Sequence, residues 1–445
     1  MHTDTDDTTD LHRIVIVGGG AGGLELATML GNSLGKKKQA QITLIDRNRT
    51  HIWKPMLHEI ASGSMDYTLN EVDYLAQAHE HHFRFRLGAL ERVDRQAKQV
   101  YVNSWLDQDG EQVTPQRCFA YDSLVIAIGS RSNDFNIPGV AEHAIQLDTA
   151  EQAERFHRKL VNAFIRAHAQ ADPLAPSQLR FAIIGAGATG VELASELHNS
   201  IRWLLEYGMD SINADKDVGL TLIEAAPRIL PALPERMANE SLRILEKLDV
   251  RVRSNSRVAA VTEQGVELDT GEEIPAEIVV WAAGVRAQVV LQNLDDLETN
   301  RINQLLVKDT LQSTRDDNIF ALGDCASAPW LGKDDSTVPP RAQAAHQQAL
   351  HLNKQLKRRL QGQPLQAFKY EDFGSLISLG SHQAVGGLMG NIAKGTLFIE
   401  GYIARFMYNM LYKKHQMQLF GFWKVLLNSL SNLIRRNTTP RVKLH

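Results

Sequence analysis

The chain has 445 residues, of which 43% are hydrophobic and 22% charged, and its net charge is -4 at pH 7. This length predicts two or three domains, each with a sizeable core, and the near balance of charge gives no indication of a nucleic-acid partner. The two cysteines, Cys118 and Cys325, are far apart and form no CxxC pair. They therefore support neither a disulfide framework nor a cysteine-based metal site, and they favour a reducing compartment.

The first ten residues, Met1 to Asp10, are acidic and lack the basic and then apolar layout of a signal peptide, so we expect a disordered tail. No run of about 18 consecutive apolar residues is present, so a transmembrane helix is not expected. We therefore expect no ion transport by the chain itself.

The first glycine turn follows a strand-like run, Arg13 to Val17, and carries Gly18, Gly20 and Gly23 in the GxGxxG spacing of a dinucleotide site. The first glycine permits a tight turn, the second lets the backbone approach a pyrophosphate, and the third lets helix and strand pack closely. Asp46 ends the next strand, where its carboxylate can accept hydrogen bonds from a ribose. A glycine-rich turn without a ligand is the alternative, but the strand, helix and acid together favour a nucleotide.

The segment after Asp46, up to Glu59, is too polar and irregular for a core element and is typical of a loop that lines a site. His51 and His58 are seven residues apart, and no HExxH motif follows. We predict no metal site there.

A buried strand is predicted from Tyr121 to Ser130, ending at Gly129, and its carboxyl end should face the bound nucleotide. Residues 149 to 168 have helical character. Residues 171 to 177, rich in proline and alanine, are a plausible linker.

The same pattern then recurs, with a strand at Arg180 leading into Gly185, Gly187 and Gly190, and with Glu224 at the end of the following strand. A second nucleotide-binding unit is therefore predicted. Because a carboxylate at Glu224 repels a ribose 2′-phosphate, we expect NADH to be preferred over NADPH. A duplicated fold with one inactive site is the alternative.

Two further strands end near these sites, one at Gly284 and one at Gly323 and Asp324. The aspartate can accept hydrogen bonds from polyol hydroxyls, and the neighbouring Cys325 is interpreted as a packed thiol. Two nucleotide sites suggest one cofactor that remains bound and one that binds and dissociates in each turnover. Hydride transfer between them requires aligned rings rather than a strong acid or nucleophile.

Taken together, both glycine turns, the Trp53-Lys54-Pro55 loop and the Gly323-Asp324 pair resemble the two-dinucleotide-binding-domain flavoproteins. The chain is most similar to the single-subunit, non-proton-pumping type II NADH:quinone oxidoreductases of bacterial respiratory chains. The most specific match lies at residues 339 to 348, which fit the AQxAxQ quinone-site pattern of that family, with Ala345 and His346 in its middle.

This resemblance implies that the first turn binds FAD and the second binds NADH. The residues implied to contact FAD are Gly18, Gly20, Gly23, Asp46, Lys54, Gly129 and Asp324. Those implied on the NADH side are Gly185, Gly187, Gly190, Glu192, Glu224 and Gly284. Glu192 matches a family carboxylate close to the nicotinamide, while an ordinary acid in the first turn of a helix is the alternative.

The predicted quinone residues are Gln343 and Gln347, four positions apart and so on one face of a helix, where both amides can reach quinone oxygens. A polar helix surface is the alternative, and the resemblance is what favours the functional interpretation.

The C-terminal stretch indicates membrane contact independently, because residues 405 to 445 contain eight Lys or Arg and no Asp or Glu. Such a segment should be attracted to anionic lipid headgroups. One helical face is predicted to be apolar and comprises Leu419, Phe420, Phe422, Trp423, Leu426, Leu427, Leu430, Leu433 and Ile434. Val425 is the apolar residue that falls outside this face. A helix packed on the core or on a dimer partner is the alternative.

The predicted fold is α/β, with two Rossmann-like units and a C-terminal membrane-associating helical region. The expected boundaries are 11–150 and 291–370 for the FAD-binding unit, 178–290 for the NADH-binding unit and 371–445 for the C-terminal region. The predicted protein is a peripheral enzyme of the cytoplasmic face of the bacterial inner membrane, passing two electrons from NADH through FAD to a membrane quinone. An association of two chains through the C-terminal region is left open.

Several alternative functions fit the sequence less well. A sulfide:quinone oxidoreductase shares the fold but needs reactive cysteines, and a disulfide reductase needs the missing CxxC. A ferredoxin or rubredoxin reductase does not explain the basic apolar tail. A flavin-binding redox sensor or membrane-targeted adaptor is the non-enzyme alternative.

Overall fold

The computed structural model describes residues 2–3, 11–107, 109–380, 384–388, 397–435 and 442. Most of the predicted disordered tail, Met1 to Asp10, lies outside them. The described helices, in chain order, are α1 (Ala21–Leu30), α2 (Leu57–Ser62), α3 (Tyr74–Glu80), α4 (Val140–His143), α5 (Ala150–Ala169), α6 (Ala188–Glu206), α7 (Ala214–Asp217), α8 (Glu235–Lys247), α9 (Ala342–Leu360), α10 (Gly401–Phe420) and α11 (Phe422–Arg435).

The first parallel sheet forms the core around the first glycine turn. Its order is Ile319–Ala321, Ser123–Ile126, His12–Val17, Ala40–Asp46 and Arg84–Leu87, all neighbours parallel. The central strands are continuous apolar runs because helices and loops cover both faces of such a sheet. Ile14, Ile16 and Leu124 are fully buried. The strand at 319–321 returns to this sheet after the chain has formed the second unit.

The second parallel sheet repeats this arrangement. Its order is Ala144–Gln146, Ile278–Trp281, Arg180–Ile184, Gly219–Ile223 and Val250–Arg253. In both sheets the middle strand leads into a glycine turn and the next strand ends at the acid. Residues 144–146 belong to this sheet although the expected boundary places them in the FAD-binding unit. The domain boundaries stay a prediction.

Smaller sheets surround the two parallel ones. One antiparallel group is Leu90–Asp94, Gln99–Val102 and Arg117–Ala120, with His2–Thr3 parallel to its edge; a second is Val258–Thr262, Gly265–Leu268 and Glu273–Pro275. The two-stranded pairs are Thr50–His51 with Val72–Asp73, Trp105–Leu106 with Gln112–Thr114, Ser130–Arg131 with Arg286–Ala287, and Leu305–Leu306 with Ala326–Ser327.

The C-terminal region begins with the antiparallel strands Gly374–Ser378, Ala384–Leu388 and Leu397–Glu400, followed by α10 and α11. Gly421, at φ +79°, separates the two helices, so the predicted apolar face does not run through a single helix. Leu419 is buried in the core beside the first sheet, and Val425 is also buried. Among the described residues, the helices are too short or too polar to cross a membrane.

The prediction that residues 47–59 are too polar for a core element is wrong. His51 and His58 are both buried, and α2 packs its apolar side chains Leu57 and Ile60 into the core beside the second unit. Polar side chains can be buried when hydrogen bonds satisfy them, and the Nδ1 atom of His51 lies 3.0 Å from the carbonyl oxygen of Gly19.

Candidate active site

The first glycine turn has the geometry that a dinucleotide requires. Gly18 adopts φ +106°, and a Cβ atom at Gly23 would lie 1.8 Å from the Gly18 carbonyl oxygen, so neither position accepts a side chain. A Cβ at Gly20 would meet no atom within 4 Å. No side chain caps α1, so open space lies before amides that can bind a pyrophosphate.

Asp46 is fixed at the end of the second strand of this unit. Its Oδ2 atom accepts a hydrogen bond from the Gly19 amide at 2.6 Å, and Oδ1 accepts one from the Asn48 amide at 2.8 Å. Burial raises the pKa of Asp46, and these backbone hydrogen bonds oppose the rise. The carboxylate therefore lies beside the turn, where the sequence predicts a ribose contact.

The second glycine turn reproduces the first. Gly185 adopts φ +99°, a Cβ at Gly190 would lie 1.9 Å from the Gly185 carbonyl oxygen, and Gly187 has open space. Glu224 Oε2 accepts a hydrogen bond from the Ala186 amide at 2.7 Å. An intact turn of this kind counts against the alternative that the second unit is inactive.

The strand end at Gly284 lies against the connection between the two units. Gly284 adopts φ +69°, and a Cβ there would lie 2.6 Å from the Phe135 ring. The indole Nε1 of Trp281 donates to the carbonyl oxygen of Asn133 at 2.8 Å. Glycine is therefore required at this position by close packing.

Three residues that the sequence assigns to flavin come together from separate parts of the chain. Lys54 Nζ donates to the Ser130 carbonyl oxygen at 2.8 Å, and Ser130 Oγ donates to Asp324 Oδ2 at 2.7 Å. Gly129, at φ +67°, precedes Ser130 and has open space where a Cβ would lie. A cation, a carboxylate and an open backbone segment thus lie together, and this set fits the polar part of a flavin dinucleotide.

Glu192 is buried in α6 and is not an ordinary acid in the first turn of the helix, because the first turn of α6 contains no acidic residue. Its Oε1 atom accepts a hydrogen bond from the Ser378 amide at 3.1 Å, and His58 Nδ1 lies 3.6 Å from Oε2. Burial raises the pKa of Glu192 to about 8, although hydrogen bonds from Ser378 and Tyr408 favour its charged form. A carboxyl group with such a pKa can hold or release a proton near neutral pH.

Two of these neighbours were missed from the sequence. His58 lies in a segment that was interpreted as a loop, and its position in α2 has a weak signal, since apolar residues at 57, 60 and 61 follow helical spacing. Tyr408 comes from α10, more than two hundred residues along the chain from Glu192, and nothing local in the sequence indicates that contact.

Gln343 and Gln347 share a face of α9 as predicted, but both amides are held by residues 371 to 374. Gln343 Nε2 donates to the Gly374 carbonyl oxygen at 3.0 Å, and Gln347 Nε2 donates to the Glu371 carbonyl oxygen at 2.8 Å. Their carbonyl oxygens accept from the amides of Phe373 and Glu371. The quinone role of the two glutamines stays a prediction.

Cys118 and Cys325 are both buried free thiols. Burial raises the pKa of Cys325 to about 12, and its Sγ donates weakly to the Leu322 carbonyl oxygen at 3.2 Å. This is the environment of a packed thiol rather than a reactive one. No cluster of metal-ligating side chains is found among the residues that the structure describes.

Residues 12–349 match the family model described as pyridine nucleotide-disulphide oxidoreductase, so the fold and the two turns define a member of that family. The chain is 44% identical over 447 residues to the type II NADH:quinone oxidoreductase of Haemophilus influenzae, covering 98% of this chain and 100% of that protein. It is 31% identical over 392 residues to the Staphylococcus aureus enzyme of the same description, covering 87% of this chain and 92% of that protein. The chain therefore belongs to the type II NADH:quinone oxidoreductase family.

A solved structure shows the same fold at low sequence identity. The structure of NDH2 from Plasmodium falciparum in complex with NADH has a TM-score of 0.79 and 18% identity, and it covers 98% of this chain and 99% of that chain. The resemblance found from the sequence and the predicted α/β fold class are both confirmed.

Proposed function

We propose that the chain is a flavoenzyme that oxidises NADH and passes two electrons through FAD to a membrane quinone without pumping protons. The observation that carries this proposal is the presence of two complete dinucleotide turns, each with a carboxylate fixed beside its glycines, in a chain that aligns along its length with type II NADH:quinone oxidoreductases. One turn serves the resident flavin and the other serves the visiting NADH.

The residues of the chain position both nucleotides. FAD, when bound, supplies the two-electron chemistry that links NADH to the quinone. The open space at Gly20 and at Gly187 admits a pyrophosphate to each helix N-terminus. Glu224 accepts hydrogen bonds from the ribose of NADH and repels the additional phosphate of NADPH. Ser130 is hydrogen-bonded to both Lys54 and Asp324, the cation and the carboxylate that would hold the flavin.

Glu192 gives the nicotinamide side a group that can hold a proton at neutral pH. Because burial raises its pKa to about 8, the carboxyl is largely neutral there and adds no uncompensated negative charge beside NADH. His58, at 3.6 Å, is the neighbouring side chain with which this proton can be exchanged.

The donor and acceptor are tested by a steady-state assay of the purified protein with a soluble quinone. NADH should support turnover, NADPH should support it at least about tenfold less well, and sulfide should not. Turnover with sulfide but not with NADH would contradict the proposal and favour a sulfide:quinone oxidoreductase. The buried Cys325, with its raised pKa, does not suit that alternative.

The quinone assignment rests on α9. Replacing Gln343 and Gln347 by Ala should raise the KM for quinone severalfold, because residues 371 to 374 lose the hydrogen bonds that hold them against α9. The KM for NADH should stay the same. Unchanged quinone kinetics in both variants would remove the two residues from the site.

We also propose that the C-terminal helices attach the protein to an anionic lipid surface at the cytoplasmic face of the inner membrane. The support is a set of apolar side chains that α11 leaves exposed, with Trp423 at 73% and Leu427 at 65%. The other members of this apolar face are Phe422, Leu426 and Leu430, and α10 adds Phe406, Met410 and Leu411. Burying such side chains at a lipid interface is favourable, and the excess of Lys and Arg adds attraction to anionic headgroups.

The side of α11 that carries Val425 faces the protein. Lys424 Nζ lies 2.9 Å from Glu80 Oε2 on α3, and Val425 is buried, so the residue that fell outside the predicted apolar face is the one that packs on the protein. The side chains of Leu433, Ile434 and Arg435 lie outside the described part of the structure. Association of two chains through this region remains a prediction.

Membrane attachment is tested with the double variant Trp423→Asp and Leu427→Asp. It should lose most of its co-sedimentation with vesicles containing phosphatidylglycerol, because two charges replace the most exposed apolar side chains of the helix. Leu106→Asp, an exposed leucine far from α11 in sequence, is the matched control and should bind as before. Equal vesicle binding by all three proteins would refute the attachment.

A further inference from the structure

A cluster of four titratable side chains lies between α1, α9, α10 and the segment before α2. His346 Nδ1 lies 2.6 Å from Glu25 Oε2, and His415 Nδ1 lies 2.7 Å from Glu25 Oε1. His51 Nε2 lies 3.1 Å from His415 Nε2, while His51 Nδ1 lies 3.0 Å from the Gly19 carbonyl oxygen. The cluster therefore extends from the first glycine turn to the middle of the predicted quinone segment.

The hydrogen-bond chemistry determines where the protons lie. Burial alone raises the pKa of Glu25, but the hydrogen bonds from His346 and His415 leave it below its ordinary value, so Glu25 is an anion. Each Nδ1 atom that contacts this carboxylate must then carry a hydrogen. Burial lowers the pKa of His51 to about 3, which makes that ring neutral.

The positions of the remaining ring hydrogens follow from the neutral state of His51. A carbonyl oxygen only accepts, so His51 donates from Nδ1 to Gly19 and accepts at Nε2. His415 must be the donor at Nε2 as well as at Nδ1, and it is therefore the cation that balances Glu25. His346 donates only from Nδ1, and its Nε2 atom takes no part in the hydrogen bonds of the cluster.

The Nε2 atom of His346 is unusual within the cluster. His346 Nε2 is buried and has no hydrogen-bond partner in the part of the chain that the structure describes. A buried polar atom without a partner is costly, and one explanation is a ligand that is not part of the protein. The ring is held by Glu25 on its other side, so its orientation is fixed.

The location suits a reaction with quinone. His346 lies between Gln343 and Gln347, and the first turns of α9 contact the Gly323 turn, where the Gly323 amide donates to Gln348 Oε1 at 2.7 Å. His415 belongs to α10, which bears some of the exposed apolar side chains. The cluster thus joins the elements that the proposed function assigns to flavin, quinone and bilayer.

We propose that His346 passes a solvent proton to the quinone, with Glu25 as the residue that positions its ring; this inference rests on the proposed function. Overall, NADH, quinone and one proton give NAD and quinol. NADH supplies two electrons and one hydrogen nucleus, and the second proton must come from solvent. Nε2 of His346 first takes this proton from water, and the new Nε2–H bond then breaks as a quinol O–H bond forms. The ring then remains neutral, with Nδ1–H donating to Glu25.

The test compares two electron acceptors in the FAD-loaded enzyme. His346→Ala should lower kcat with quinone by about 100-fold, the usual scale for loss of a general acid. Its turnover with ferricyanide, which accepts electrons and no protons, should stay within about twofold. Glu25→Gln should lower quinone turnover less, since the ring remains. His351→Gln, on the same helix with its ring bonded to the Gln366 carbonyl oxygen, is the matched control and should behave as wild type.

Two further readouts separate proton donation from a structural role. Imidazole added to His346→Ala should restore part of the quinone turnover, and the solvent isotope effect on that turnover should be larger in the variant than in wild type. FAD content should match that of His351→Gln. Quinone turnover within twofold of the control, or parallel loss of quinone and ferricyanide turnover without imidazole rescue, would overturn the inference. A wild-type protein that reduces ferricyanide but no quinone would instead overturn the proposed function.

Discussion

Glu25 and Glu192 occupy equivalent positions, each seven residues after the first glycine of its turn, yet their protonation differs. Both side chains are buried in the helix that follows the turn. Glu25 lies between His346 and His415, which together hold its pKa below the ordinary value. Burial raises the pKa of Glu192 to about 8, and Glu59 adds to the rise. The same residue in the same local fold is thus an anion in one unit and largely a neutral acid in the other.

This difference shows that the partners, and not the turn, determine the chemistry at this position. The partners of Glu25 come from α9 and α10, and those of Glu192 come from α2, from the strand at 374–378 and from α10. The C-terminal helix therefore contacts both glutamates. Duplicated glycine turns supply the binding geometry, and elements outside the turns make the two sites different.

The largest effect should come from adding a side chain inside either glycine turn. Gly23→Ala should yield protein with at least about tenfold less FAD, because its Cβ would lie 1.8 Å from the Gly18 carbonyl oxygen. Gly190→Ala should keep its FAD and lose reduction by NADH, while dithionite still bleaches the flavin. Absorbance at the flavin band measures both. If each variant lost both properties equally, the assignment of one turn to each nucleotide would be wrong.

A smaller effect is expected from Glu25→Gln, which leaves the His415 cation buried without its counter-charge. We expect a loss of about 4 kcal/mol in the free energy of unfolding at pH 7, the usual scale for breaking a buried ion pair. Because the pKa of Glu25 is lowered from 4.5, its contribution is present above that value and is lost as pH falls through the lower, folded-state pKa.

Urea unfolding at pH 7 and at pH 4 measures this contribution. The gap between wild type and Glu25→Gln should be widest at pH 7 and narrower at pH 4. A gap that widens towards acid would contradict an anionic Glu25.

Glu192→Gln should have the opposite dependence on pH. The pKa of Glu192 is raised from 4.5 to about 8, so the folded protein binds this proton more tightly and loses stability as pH rises through that window. The variant lacks this loss, so its free energy of unfolding relative to that of wild type should rise by on the order of 3 kcal/mol between pH 5 and pH 9. Melting temperatures at the two values measure the gain, and a constant difference would refute the raised pKa.

Much of the fold could be predicted because its signals are local. The strands before Gly18 and Gly185, the acids at Asp46 and Glu224, and the helix capped by Thr149 all follow from short patterns. The helix predicted at residues 149 to 168 begins at Ala150, after a capping box formed by Thr149 and Gln152.

The parts that could not be predicted depend on contacts distant in sequence. The burial of His51 depends on His415, more than three hundred residues away, and so a polar segment was mistaken for a loop. The break at Gly421 is not indicated by the apolar spacing, which continues across it. The amides of Gln343 were expected to face quinone, but residues 371 to 374 bind them, and helical spacing alone cannot reveal that partner.

The same long-range contacts affect how the tail should be tested. Deleting the residues after Arg405 would remove His415 and the buried Leu419, whose carbonyl oxygen accepts a hydrogen bond from Gln77 at 3.1 Å. Such a truncation would damage the first unit as well as membrane binding. Substitutions on the exposed face of α11 avoid this effect.

The central claim is that one chain takes electrons from NADH and gives them to quinone through a bound flavin. An anaerobic visible spectrum of the purified protein tests it directly. We predict that one equivalent of NADH bleaches the flavin band within seconds and that one equivalent of quinone restores it. A flavin that NADH leaves oxidised, or one that stays bleached after quinone is added, would contradict the claim and favour a redox sensor or an enzyme with another substrate.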